Sequence, residues 1–169
     1  MLNPFSWSFR QQCVLGALMC FGLVGYALYV QYGMFMMPCP LCILQRVAFV
    51  LMGIGFVFGA FVGNRTWGRA STAAVTGLAA MAGAAVAGWH VRMQHLPPSE
   101  VPSCSGMDIG YMLEAFPLAK VWEKVFTGSG ECAVVDWTFL GLSMPTWTLF
   151  WFIGMGVAVV WAAFRRRSV

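Results

Sequence analysis

Cys39-Pro40-Leu41-Cys42-Ile43-Leu44-Gln45-Arg46 sets two cysteines three positions apart, with an arginine one helical turn beyond, between two long apolar runs. Cysteines at this spacing exchange electrons readily, and a helix start lowers the pKa of a thiol, which favours the reactive thiolate. If Pro40 opens a helix, the unpaired N–H groups of the first turn stabilise negative charge near both sulfurs. Cys39, Cys42 and Arg46 then share one helix face. An arginine beside an apolar segment is costly unless it has a partner or a task. Here it can favour a thiolate or bind an anionic or carbonyl oxygen of a ligand. Redox chemistry at a membrane surface is therefore the leading reading. A c-type haem needs a histidine after the second cysteine, where Ile43 stands, and structural zinc more usually takes a second close pair. A static disulfide and a metal site remain open beside redox chemistry.

The elements that carry these residues follow from composition. The chain has 169 residues, 60% hydrophobic and 9% charged, against about 25% charged in a soluble domain. Four runs are long enough to cross a bilayer, which takes about 20 apolar residues. They cover roughly 12–30, 43–62, 71–89 and 144–164, so the expectation for 1–169 is one all-α membrane domain, a four-helix bundle. The first run exceeds the ~7–15-residue core of a signal peptide and no small-x-small site follows it, so it reads as a retained helix. Arg10, Arg65, Arg69 and Arg165-Arg166-Arg167 would share one side, and the positive-inside rule makes that side cytoplasmic, with both termini. All six acidic residues lie in the long loop of about 91–143, which would face outward with the short connection of about 31–42. Cys39, Cys42, Cys104 and Cys132 would then sit on the outer side, where disulfides persist. The net charge of +4 comes largely from the topogenic arginines and does not point to nucleic acid.

Small residues crowd the third run (Ala79-Ala80, Ala82-Gly83-Ala84-Ala85, Ala87-Gly88), and Gly53, Gly55 and Gly59 punctuate the second, as close helix packing requires. In the outer loop, Pro97, Pro98 and Pro102 favour an extended arm ending at Cys104. Leu118, Val121, Trp122, Val125 and Phe126 follow helical spacing and predict a short amphipathic helix lying in the membrane interface. Thr127-Gly128-Ser129-Gly130 reads as a flexible joint that leaves Cys132 next to mobile backbone. A disulfide between Cys104 and Cys132 would close a long, accessible loop, and exposed bonds of that kind are the labile, oxidising ones. Cys13 and Cys20, seven apart on one helix face, read as packing. His90 ends the third run at a depth comparable with Arg46, where it either meets a ligand or is satisfied by water. The aromatic residues from Trp137 to Trp147 fit an interfacial belt, with Met144 and Trp147 as candidate walls of a pocket above the bundle.

Taken together, Cys39-Pro40-Leu41-Cys42 with Arg46, Cys104, Ser129-Gly130-Glu131-Cys132 and the stretch Trp137-x-Phe139-Leu140-Gly141-Leu142-x-Met144-Pro145-x-Trp147 resemble the DsbB family, quinone-coupled thiol oxidases of bacterial inner membranes. The resemblance covers nearly the whole chain. It implies that a thioredoxin-like periplasmic oxidase, DsbA, arrives reduced and attacks a Cys104–Cys132 disulfide, forming a mixed disulfide at Cys104. Electrons then pass to Cys39 and Cys42, and from Cys42 to a quinone (ubiquinone or menaquinone) of the respiratory-chain pool. It further implies that Arg46 holds and polarises the quinone, and His90 matches a family histidine. Two other readings compete: a vitamin K epoxide reductase-like thiol enzyme, and a non-enzymatic scaffold stapled by disulfides.

Overall fold

The structure, a computed structural model, describes residues 7–35, 38–97, 99–101, 117, 130–135 and 138–165. Four long helices dominate it: α1 (Phe9–Gly33), α2 (Pro40–Val62), α3 (Thr66–Gln94) and α4 (Met144–Phe164). All four are long and apolar enough to cross a membrane, and at about 1.5 Å per residue each spans the ~30 Å hydrocarbon layer. Ser8 starts α1 with a reciprocal capping box: Gln11 N–H donates to the Ser8 hydroxyl and Ser8 N–H to Gln11 Oε1. Pro40 stands in the first turn of α2, where its missing N–H costs nothing. Only Gly63, Asn64 and Arg65 separate α2 from α3, which forces the two helices antiparallel.

The fourth helix coincides with its predicted run, but the others are longer than their apolar stretches. Polar flanks such as Thr66 and Arg92 end a hydropathy window without ending the i to i−4 bonding of the backbone. A second difference lies before α4. The stretch read as an aromatic belt contains a small antiparallel hairpin, β1 (Thr138–Phe139) with β2 (Leu142–Ser143). Leu140 and Gly141 link the strands with φ of 53° and 78°, the two left-handed positions of a type I′ turn. The arm residues Pro98 and Pro102, Cys104, the amphipathic segment 118–126 and the joint residues 127–129 lie outside the described residues.

Helix packs on helix in chain order, and α1 also touches α4. The predicted role of the small residues holds at α3. A Cβ on Gly83 would lie 2.4 Å from the Phe152 ring of α4, and that ring stacks on Phe49 of α2 with centroids 4.1 Å apart. Gly59 likewise admits Thr72 and Cys13. Cys13 and Cys20 are buried as expected, with the Cys20 sulfur 3.9 Å from the Met155 sulfur. The outer surface is apolar: Leu18, Phe61 and Val157 are 67%, 76% and 65% exposed, which suits lipid as the solvent.

The two ends of the bundle differ. At one, Arg10 donates to the Ala60 carbonyl at 2.7 Å, Arg69 lies over the Phe9 ring and Arg165 over Trp161. The other end gathers the start of α2, the end of α3, the short 3-10 helix Gly130–Cys132 and the start of α4. The cysteine pair sits there.

Candidate active site

Cys39 is the N-cap of α2: its sulfur accepts the Cys42 main-chain N–H at 3.4 Å. That geometry turns both side chains to one side, and the Cys39 thiol donates to the Cys42 sulfur across 3.1 Å. Cys39 is buried and Cys42 half-buried, so Cys42 is the member of the pair with an open side.

Cys132 completes a small buried cluster with Cys39, Leu41 and Met93. It is fully buried at the end of its 3-10 helix, and its side chain hydrogen-bonds that of Cys39. The joint residues 127–129, expected to be mobile, lie outside the described residues, whereas Cys132 itself is packed. Gly130 is buried too, and the short helix tucks the cysteine under the end of α3 rather than leaving it on a free strand of loop. Hydrogen bonds to Cys132 and Cys42, together with burial, push the Cys39 thiol up from its ordinary value. The helix start thus does not make Cys39 the thiolate that the sequence suggested. Burial and two sulfur partners outweigh the helix-end N–H groups there.

His90, buried on α3, enters the same cluster. Its Nε2 lies 3.8 Å from the Cys39 sulfur, and its ring also hydrogen-bonds the main chain of Cys132. On the far side of the ring, Nδ1 lies 3.0 Å from Gln45 Nε2. Gln45 is itself buried on α2, and its Oε1 accepts the Thr148 hydroxyl of α4 at 2.6 Å. Sequence reasoning passed over both Gln45 and Thr148. The available signal was a glutamine inside an apolar helix, since a buried amide in such a segment must find partners. The donor atoms of Cys39, Cys42 and His90 all lie within 4.8 Å of one another, so these three residues have the types and spacing to hold a soft cation.

Arg46, near enough for its charge to act on Cys42, is tied to α1. Its Nη1 donates to Gln31 Oε1 and its Nη2 to the Ala27 carbonyl at 3.2 Å. A guanidinium has five donors, so these bonds orient it without exhausting it. Met144 and Trp147 stand at the start of α4. The Trp147 indole N–H donates to the Phe139 carbonyl of the hairpin at 3.0 Å, which stitches β1 to α4. Trp147 does line a cavity of about 410 Å³, but this runs down the face of α4 along Phe150, Trp151, Gly154, Met155 and Ala158. The structure therefore unites Cys39, Cys42, Cys132 and His90, sets Arg46 one turn along α2, and leaves Trp147 on a separate wall. Cys104 lies outside the described residues.

A buried thiol that touches one member of a close pair is placed to attack that sulfur when the pair is a disulfide, and so to pass electrons to it. The attacking sulfur must approach the sulfur it bonds to, and Cys132 already contacts Cys39. Comparison with known proteins bears on the same chemistry. The family described as "Disulfide bond formation protein DsbB" matches residues 9–162. A "Disulfide bond formation protein B" of Xanthomonas axonopodis pv. citri (strain 306) is 43% identical over 169 residues, covering 99% of this chain and 98% of that protein. Proteins of the same description from Xanthomonas campestris pv. campestris (strain 8004) and Xylella fastidiosa (strain Temecula1 / ATCC 700964) are 41% and 39% identical, each across 99% of this chain and 97% and 99% of their own length.

Proposed function

The chain belongs to the DsbB family and is a multi-pass membrane thiol oxidoreductase of disulfide bond formation, and from that premise we propose that it relays electrons from a DsbA-like dithiol through two cysteine pairs to a quinone. The observation that carries the relay is the contact between Cys132 and Cys39, two buried sulfurs from segments more than 90 positions apart. The partner's thiolate attacks Cys104 of the Cys104–Cys132 disulfide, and the electron pair of the broken bond leaves on Cys132. Cys132 then attacks Cys39 of the Cys39–Cys42 disulfide. A Cys39–Cys132 bond forms, and the electron pair passes to Cys42, the half-open member of the pair; the partner's second thiolate then breaks the mixed disulfide, releasing the oxidised partner and leaving the electron pair on Cys104.

The residues present fit a quinone on the open side of Cys42. Arg46 is already braced by Gln31 and Ala27 and keeps further donors for a carbonyl oxygen. Quinone, when bound, supplies a two-electron sink that leaves as quinol. Met144 and Trp147 have the weaker claim as lining residues, since Trp147 already spends its N–H on the hairpin. The arginine-rich end of the bundle goes to the cytoplasm by the positive-inside rule, which puts both termini there and the cysteines on the periplasmic side of a bacterial inner membrane. The vitamin K epoxide reductase-like and scaffold readings are not favoured, because the DsbB match covers residues 9–162.

The direct test is anaerobic. Purified protein is mixed with a reduced DsbA-like oxidase and ubiquinone or menaquinone, and quinol is followed optically. One quinol per partner disulfide is expected; a protein that leaves the quinone oxidised would end this reading.

A further inference from the structure

One polar chain, half-buried at Thr148 and buried beyond it, links three helices to the reacting sulfurs: Thr148 on α4, Gln45 on α2, His90 on α3, then Cys39. Neutral imidazole carries one ring proton, and the partner at the other nitrogen decides where it sits. The Thr148 oxygen lies 2.6 Å from Gln45 Oε1, a separation typical of O–H···O and short for N–H···O. The hydroxyl has one proton and two acceptors, Gln45 Oε1 and the Pro145 carbonyl at 2.9 Å; the shorter contact to Oε1 takes the larger share, which fixes which way the amide faces. Its NH₂ end then meets His90 Nδ1 at 3.0 Å, and Nδ1 must accept. The single ring proton is left on Nε2, the nitrogen 3.8 Å from the Cys39 sulfur, with the main chain of Cys132 as the ring's other partner on the cysteine side.

We propose that Gln45 and Thr148 are positioning residues that hold His90 as its Nε2–H tautomer, so that its one ring proton faces the Cys39–Cys132 contact and stabilises Cys39 as a leaving thiolate. This rests on the relay described above. When the thiolate of Cys104 attacks Cys132 in a Cys39–Cys132 disulfide, a Cys104–Cys132 bond forms and the Cys39–Cys132 bond breaks. The electron pair stays on the Cys39 sulfur, and no outside oxidant or reductant is consumed. That sulfur then accepts the Cys42 main-chain N–H, 3.4 Å away in this structure, and His90 Nε2–H. Both donors stand in place before the charge appears, so little reorganisation accompanies the step.

The chain has two histidines, so nitrogen-15 labelling of histidine gives two ring systems, and the substitution His95→Asn assigns them. Wild-type His90 is expected to carry its proton on Nε2; a proton on Nδ1 would overturn the proposal without touching the relay. Gln45→Met and Thr148→Val should each turn the single tautomer into a mixture, and Thr148→Ser should restore it. In a Cys42→Ser, Cys104→Ser background, with the Cys39–Cys132 disulfide first formed by oxidised glutathione, its cleavage by dithiothreitol should slow about twofold with Gln45→Met, in proportion to the share of rings that move the proton to Nδ1, and recover with Thr148→Ser relative to Thr148→Val. Unchanged cleavage despite a lost tautomer preference would also overturn it. Quinol production by the wild-type protein tests the relay separately.

Discussion

Arg46 on α2 is tied to Gln31 on α1, its Nη1 donating to the glutamine side-chain oxygen. The bond joins two transmembrane helices next to the site, and it holds a cation at a fixed height beside the cysteine pair. Arg46→Ala should therefore raise the KM for quinone about tenfold or more, as the loss of a charged hydrogen-bond donor implies. Mixed-disulfide formation with the dithiol partner should be unchanged. Arg46→Lys should restore little, because an ammonium cannot reach two acceptors in a fixed fork. An unaltered KM in steady-state quinol assays would remove Arg46 from the quinone site.

The Cys39 thiol is held in its neutral form by Cys132 first, then by Cys42 and burial. Its raised pKa means that this contribution to the stability of the reduced protein is complete below about pH 9, the ordinary thiol value, and is lost only as pH rises through the raised value. Alkylation of Cys39 by iodoacetamide should thus remain slow at pH 9, and Cys132→Ala should bring its onset to lower pH. Mass spectrometry of labelled peptides reads both. Rapid labelling of Cys39 at neutral pH would contradict the assignment.

Two substitutions separate the halves of the relay. Cys104→Ser should abolish the mixed disulfide with a reduced partner, seen as a missing adduct on non-reducing gels. Cys42→Ser should instead accumulate a Cys39–Cys132 bond: the Cys39 thiolate, already in contact with Cys132, attacks Cys132 of the Cys104–Cys132 disulfide, and the electron pair leaves on Cys104. Peptide mapping that finds Cys132 bonded only to Cys104 in that variant would count against transfer through Cys39.

Gly83→Ala drives a methyl group to within 2.4 Å of the Phe152 ring. That ring is fully buried and stacked on Phe49, so it has nowhere to go. A loss of about 1–3 kcal/mol is expected, as for other overpacked cores. Gly88→Ala, with nothing within 4 Å of the added carbon, is the matched control. Thermal unfolding in detergent should show a lower midpoint for the first and little change for the second.

The four spans were legible because about 20 apolar residues in a row have few alternatives to a membrane helix, and the C-x-x-C with Arg46 stood out by residue type alone. Gln45 and Thr148 were not seen, because their meaning lies in a contact between α2 and α4 across 103 positions. Burial of Cys132 was equally hidden. Four small or flexible residues before Glu131 suggest only a flexible joint, and nothing local announces that the cysteine after it packs against Leu41 and Met93. The hairpin before α4 was missed because Leu140 is a poor residue for positive φ, and only Gly141 carried the usual signal. Local pattern gave the helices; the partners of a buried polar atom are set by packing from distant segments.

Cys39 is both a redox sulfur and the cap of α2. Serine is a good N-cap and alanine is not. Replacing Cys39 by alanine therefore removes the electron carrier and also unfastens the helix that bears Cys42 and Arg46. Serine removes the carrier and keeps the fastening. Any experiment that silences this cysteine compares two different proteins unless it is done with serine, and the gap between the two substitutions measures how far the site depends on that one turn of helix.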